Sequence, residues 1–222
     1  MYVVLLGPPG SGKGTQGSII AEQLRISHLS TGDLFREILQ NPSHPLYPQV
    51  QVVDEGKLVS DDVVNLVVED GIRKPEYRNG VIFDGYPRTI AQARALDCML
   101  AAMDKKVDLV LDLDVTQDVL LFRILGRQVC PKCKKVFHER QGFKNCPDCG
   151  GPLVRRNDDN EETILQRLEE YRKKTAPLQE YYSKSKAVYI KLYIDDASKT
   201  AEDVNKEILE LMKQNNVLYE VV

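Results

Sequence analysis

Short apolar runs alternate along this chain with longer segments whose apolar positions recur every three or four residues. Tyr2–Leu6, Ile26–Leu29, Val81–Asp84, Leu109–Leu113 and Val188–Ile194 are runs of the first kind, rich in β-branched residues and leucine. Such stretches read as parallel strands buried on both faces. Helical spacing marks Gly14–Leu24, a segment opened by the N-cap sequence Ser30-Thr31-Gly32-Asp33, and one capped by Ser60 with Val63, Val64, Val67 and Val68. It returns in Thr89–Ala102, Val115–Leu125, a long helix from Glu161 to about Ser185, and Ala201–Gln214. This order predicts an α/β fold, a parallel five-stranded sheet with helices on both faces.

Two stretches interrupt the alternation. Pro42, Pro45 and Pro48 exclude a continuous helix over Asn41–Pro48, and Pro48 is placed to start a new one running to Glu55 before Gly56. Further on, a segment of Gly, Pro, Cys and Lys has neither period. The expected organisation is a core of residues 1–29, 61–126 and 160–222, a helical insertion at 30–60 and a cysteine-bearing insertion at 127–159. The tail 215–222 carries no signal.

At 42% hydrophobic and 28% charged over 222 residues, the composition is that of a soluble globular protein. A net charge of −3 gives no support to nucleic-acid binding by the whole surface, so any anion site is a local concentration of Lys and Arg. No apolar run approaches a membrane span, and a first strand at Tyr2 leaves no room for a leader. A cytoplasmic, reducing compartment is expected.

Between the first strand and first helix lies Gly7-Pro8-Pro9-Gly10-Ser11-Gly12-Lys13-Gly14-Thr15-Gln16. Strand, glycine loop and helix in that order make a phosphate cradle: main-chain N–H groups converge, the helix start adds its dipole, and Lys13 adds a charge. The generic pattern has Ser or Thr directly after the lysine; here Gly14 intervenes and Thr15 carries the hydroxyl. Asp84, ending its strand, is placed to face the phosphates and their magnesium, directly or through water. Arg36, Arg88, Arg123, Arg127, Arg156 and Arg167 fall at segment junctions around that pocket, where guanidinium groups match phosphate oxygens.

Cys130, Cys133, Cys146 and Cys149 form two CxxC units with twelve residues between them. In a reducing compartment this spacing points to a structural zinc, with iron or no metal as the alternatives. Four sulfurs fill a tetrahedral shell and leave no position for substrate. Lys132, Lys134, Lys135 and Lys144 would offset the thiolate charge, and His138 with Phe137 is expected to pack in this insertion. Cys98, between Leu96 and Leu100, reads as a small buried hydrophobe.

Across nearly its whole length the chain resembles the adenylate kinases of the long, lid-bearing type. The resemblance rests on GPPGSGKGTQ (7–16), STGDLFR (30–36), DGYPRT (84–89), ILGR (124–127), DDNEE (158–162) and TAPLQEYY (175–182). It implies magnesium-dependent phosphoryl transfer from ATP to AMP. ATP would be held by Gly10, Ser11, Gly12, Lys13, Gly14 and Thr15, with Arg123 and Arg127 over it and Lys199 at its adenine. AMP would lie among Thr31, Arg36, Lys57, Val59, Gly85, Arg88 and Gln92, with Gln92 on the base. Arg127, Arg156 and Arg167 would close on the transferring phosphate, and Lys13, Arg88 and Asp84 would complete the catalytic set.

An AMP phosphate, with a second pKa near ~6, is mostly dianionic at neutral pH and needs no general base. None of His28, His44 and His138 has an acidic partner visible in the sequence. What the reaction needs is relief of repulsion between two polyphosphates and exclusion of water, which implies direct in-line transfer under a closing lid. Three features depart from the family pattern: the prolines of 41–48, Gly17 inside a helix at about 1 kcal/mol relative to alanine, and Tyr86 where Phe is usual. A UMP/CMP kinase is the near alternative; a zinc-ribbon nucleic-acid binder and a non-catalytic nucleotide sensor are the distant ones. Monomeric action on small nucleotides, with no nucleic acid or membrane partner, is the expectation.

Overall fold

The computed structural model describes residues 1–51, 59–155 and 159–218. Its central sheet has five parallel strands: β1 (Tyr2–Leu6), β2 (Ser27–Ser30), β3 (Val81–Asp84), β4 (Leu109–Val115) and a last strand, Val188–Ile194, in the order β2-β3-β1-β4-last. β1 is central, with Leu5 opposite Asp84 on one side and Leu111 on the other. From β1 the chain first lays down the edge strand β2, returns to fill the gap with β3, and then crosses to the other side of β1 for β4. Strand order therefore reverses beside β1, and loops leaving the carboxyl ends of the strands part there to open a crevice.

Alternate residues of β1 face opposite layers, as the two-residue strand period requires. Tyr2, Val4 and Leu6 pack with Leu34, Val67, Leu96 and Leu178. Val3 and Leu5 pack with Ile20, Leu120, Ile164 and Ile208. The first layer comprises α2 (Thr31–Leu39), α4 (Asp61–Ile72), α5 (Ile90–Ala101) and α8 (Pro177–Ser183), with the short α3 (Tyr47–Val50) beside them. The second comprises α1 (Lys13–Leu24), α6 (Gln117–Leu125), α7 (Glu161–Glu170) and α9 (Ala201–Gln214). A separate hairpin of β5 (Arg127–Val129) and β6 (Val136–His138) carries the cysteines, so the last strand of the main sheet is β7.

Several sequence expectations are corrected. The long helix from Glu161 is broken: after Glu170 comes a π turn, Tyr171–Thr175, in which Ala176 N–H reaches back to Tyr171 O, and α8 starts at Pro177. Pro177 lacks the N–H that an uninterrupted α-helix needs, and the wider turn absorbs it. Beyond the break, Gln179 and Tyr189 donate to buried Asp112 Oδ2 at 2.8 and 2.6 Å, tying α8 and β7 to β4. β4 runs to Val115, shortening the helix that follows. Cys98 is exposed, because α5 buries the face of Gln92, Ala93, Leu96 and Leu100. Pro48 lies at the start of α3, and the stretch expected to continue to Glu55 falls outside the described residues.

Gly17 has a packing reason. A Cβ there would sit 2.8 Å from His28 Nε2 and 2.9 Å from Leu5 Cδ1, so a larger residue would force those side chains or α1 to shift.

Candidate active site

The glycine loop leaves β1 and turns under α1. Gly10 and Gly12 have φ of 83° and 98°, in the left-handed region. A Cβ on Gly10 would lie 2.5 Å from Ile124 of α6. Gly12 is the N-cap of α1 and has no side chain to satisfy the first N–H groups, which leaves them for an anion. Lys13 folds back so that its Nζ donates to Gly7 O at 2.5 Å and Pro8 O at 2.9 Å. Arg123, on α6, donates to Ser11 O at 3.1 Å and closes the other rim. Ser11 is buried and Thr15 half-buried beside it.

Asp84 ends β3 next to this loop, with its Oδ2 3.4 Å from where a Gly14 Cβ would be. Burial pushes its carboxyl up, but His28 and the Lys13 charge outweigh that and hold its pKa below the ordinary carboxylate value. His28 Nε2 lies 3.4 Å from Asp84 Oδ2, and His44 lies 3.5 Å from Asp70. The expectation that no histidine has an acidic partner is thereby overturned. β2 and β3 are neighbours only through the sheet, so the local sequence carried no sign of the His28 contact.

One strand away, Gly85, with φ 78°, presents its carbonyl to both Thr31 Oγ1 at 3.3 Å and Arg88 Nε at 2.8 Å. Arg36 pairs with Asp33 within its own helix turn at 2.5 Å and is exposed. Arg88, Lys13 and Arg167 of α7 lie within electrostatic reach of one another. Burial first, then Arg88 and Arg167, draw the Lys13 pKa down to about 8 against the pull of Asp84. Enclosure and Arg167 likewise lower Arg88. Cations so placed repel one another until an anion arrives.

The other expected residues are distributed as follows. Arg127, at the start of β5, is held by Asp159 through Nε–H to Oδ2 at 2.8 Å and through Nη2 to the second oxygen; the Asp159 side chain is 1% exposed. Gln92 is buried beside Arg88 and Asp61. Asp61 was not among the expected site residues, and only the packing of α4 on α5 reveals it. Val59 lies just ahead of α4, and Lys199, before α9, is paired with Glu207 at 2.6 Å. Lys57 and Arg156 fall outside the described residues.

In the hairpin insertion the two CxxC units fold alike. Cys130 N–H donates to Lys135 O and Lys134 N–H returns to Cys130 O; Cys146 N–H donates to Gly151 O and Gly150 N–H returns to Cys146 O. Lys134 and Gly150 take φ of 64° and 69° to make these turns. The four Sγ atoms lie within 4.8 Å of one another, the pairs Cys130–Cys149 and Cys133–Cys146 at 3.4 and 3.5 Å. A tetrahedral zinc with sulfurs at about 2.3 Å needs edges of about 3.8 Å, so the set fits. Main-chain N–H of Cys133, the largest influence, and of Lys132 draw the Cys130 thiol down, while, against main-chain N–H groups of Lys135 and Gly151, burial and the neighbouring sulfurs push the Cys133 and Cys149 thiols up. Lys135 pairs with Asp148 at 2.8 Å. His138 is not among the clustered sulfurs; its Nδ1 accepts from Arg140 N–H inside the insertion at 3.2 Å, and its ring also stacks on Phe122 of α6 at 4.6 Å between centroids. Phe137 packs against Phe143.

A doubly wound parallel sheet with a glycine cradle, a strand-end acid and converging cations defines the chain as a P-loop phosphotransferase. The family model described as adenylate kinase matches residues 5–187. The chain is 43% identical over 189 residues to an adenylate kinase of Methanothrix thermoacetophila, covering 83% of this chain and 87% of that one. Over 214 residues it is 42% identical to one of Clostridium tetani, with 94% and 96% covered. The chain belongs to the adenylate kinase family.

Proposed function

We propose that this enzyme transfers the γ-phosphoryl group of magnesium ATP directly to the phosphate of AMP, giving two ADP. The observation that carries this reading is the group of mutually repelling cations, Lys13, Arg88 and Arg167, between a glycine cradle on β1 and an arginine loop on the adjacent strand β3. Two polyphosphates meeting there would bring negative charge to offset that repulsion. Gly10–Thr15, Arg123, Arg127 and Lys199 are assigned to ATP. Thr31, Arg36, Lys57, Val59, Gly85, Arg88 and Gln92 are assigned to AMP, and Arg127, Arg156 and Arg167 to the phosphoryl group in flight. Magnesium, bound with ATP, would be held by Asp84 through water and would neutralise phosphate charge.

The residues of 30–60 and 127–159 act in this reading as the mobile parts that exclude water, around a core of 1–29, 61–126 and 160–222. A zinc held by the four cysteines gives the second of these its shape and takes no part in transfer. The enzyme works as a monomer in the cytoplasm, where its thiols stay reduced. Among the described residues no helix is long and apolar enough to cross a membrane.

A coupled assay of ADP formation from AMP, ATP and magnesium tests the proposal, with Lys13→Met and Arg88→Ala as variants expected to lose at least a hundredfold in kcat/KM. A wild-type protein that turns over UMP or CMP faster than AMP would overturn the choice of acceptor.

A further inference from the structure

Gln92, assigned above to the acceptor base, is 4% exposed, and both ends of its amide are engaged. Its Oε1 accepts from the Arg88 main-chain N–H at 2.7 Å, and its Nε2 donates to Asp61 Oδ1 at 2.7 Å. The second oxygen of Asp61 accepts from Thr89 Oγ1 at 2.7 Å, and that hydroxyl caps α5 by accepting from Gln92 N–H at 3.1 Å. The Tyr86 hydroxyl, 2.7 Å from Asn65 Oδ1 and 3.1 Å from Gln92 O, pins the main chain of the same residue to α4. Here the departure from phenylalanine has a use.

A carboxylate only accepts and a main-chain N–H only donates, so this amide has one orientation. Turning it over would set Oε1 against the Asp61 carboxylate and the NH2 group against the Arg88 N–H. In the permitted orientation one N–H of Nε2 and one lone pair of Oε1 remain for a ligand. That pattern pairs with an edge carrying a ring acceptor beside an amino donor, as at N1 and N6 of adenine. Hypoxanthine has the same ring system and carries the inverse pair, a donor at N1 and an acceptor at O6.

We propose that Asp61 is a positioning residue for acceptor choice: it holds the Gln92 amide in the one orientation that pairs with a 6-aminopurine and refuses a 6-oxopurine. The inference rests on the reading that Gln92 meets the base.

The test is kcat and KM with ATP and either AMP or inosine monophosphate, for wild type, D61N and Gln92→Leu, each checked by its melting curve. In D61N the new side-chain amide can turn its own NH2 towards Gln92, so the charged opponent of the flipped state is gone while the Arg88 N–H remains. The AMP preference in kcat/KM is expected to narrow about tenfold, through a higher KM for AMP and a lower one for inosine monophosphate. Gln92→Leu is expected to remove the preference altogether. If D61N slows both substrates equally and leaves their ratio at the wild-type value, Asp61 is only structural and the inference fails alone. If Gln92→Leu leaves the ratio unchanged, Gln92 does not read the base and both fail. Should D61N melt below the assay temperature, Asp61→Ser removes the same charge and is judged by the same ratio.

Discussion

Lys13 spends its hydrogen bonds on the carbonyls of its own loop, and its pKa of about 8 lies well below that of a free lysine. The shift comes from burial and from Arg88 and Arg167, both of which a bound triphosphate would offset. Nucleotide therefore binds the protonated form better. ATP affinity is expected to fall as pH rises through 8, and binding at pH 8.5 to take up a fraction of a proton. Calorimetry in buffers of different ionisation enthalpy measures that fraction; an uptake of zero would separate Lys13 from the phosphates. Gly17 makes a second prediction at this scale. Alanine gains about 1 kcal/mol of helix propensity at an open site. Here its Cβ would meet His28 and Leu5 below 3 Å, and overpacking costs about 1–3 kcal/mol. Gly17→Ala is thus expected to lower the melting temperature, and an increase would show that α1 can lift from the sheet.

Among elements, the hairpin insertion has the least core of its own. Of its described residues, Cys130, Cys146 and Gly151 are buried, while Val136, Phe143 and Val154 are exposed. Its shape rests on the paired cysteine turns, so a metal held by them would supply folding energy and not chemistry. Removing metal with a strong chelator, or Cys146→Ser, is expected to lower the melting temperature while kcat at low temperature is largely retained. Loss of turnover with unchanged melting would contradict a structural zinc. The π turn is a second element with a traceable connection. Its Thr175 Oγ1 donates to Arg88 O at 3.0 Å, linking the segment that carries Arg167 to the loop that carries Arg88. Thr175→Val is expected to raise KM for AMP several-fold, with at most about 1 kcal/mol lost in stability by denaturant unfolding.

At the scale of the whole molecule, the sheet order puts the glycine loop and the arginine loop on neighbouring strands. If both insertions close only when both anions are present, limited proteolysis within 127–155 should slow more with a non-hydrolysable ATP analogue and AMP together than with either alone. Equal protection by the ATP analogue alone would leave AMP no part in closing the lid.

The strands, the glycine cradle, Asp84 and the cysteine turns were legible without coordinates because each is a local pattern. Hydrophobic period, glycine at left-handed positions and CxxC spacing act within a few residues of one another. The partners of those groups were not legible. Neither the exposed side of α5 that carries Cys98 nor the contact of His28 with Asp84 follows from neighbouring residues. Pro177 stood in plain sight, but whether it ends a helix or is absorbed in a wider turn depends on what α7 and α8 pack against. Asp61 needed α4 laid on α5. The sequence by itself determined which chemistry the chain carries; the tertiary structure decided which groups confront one another, because those contacts join residues tens of positions apart whose meeting is set by the sheet order and helix packing.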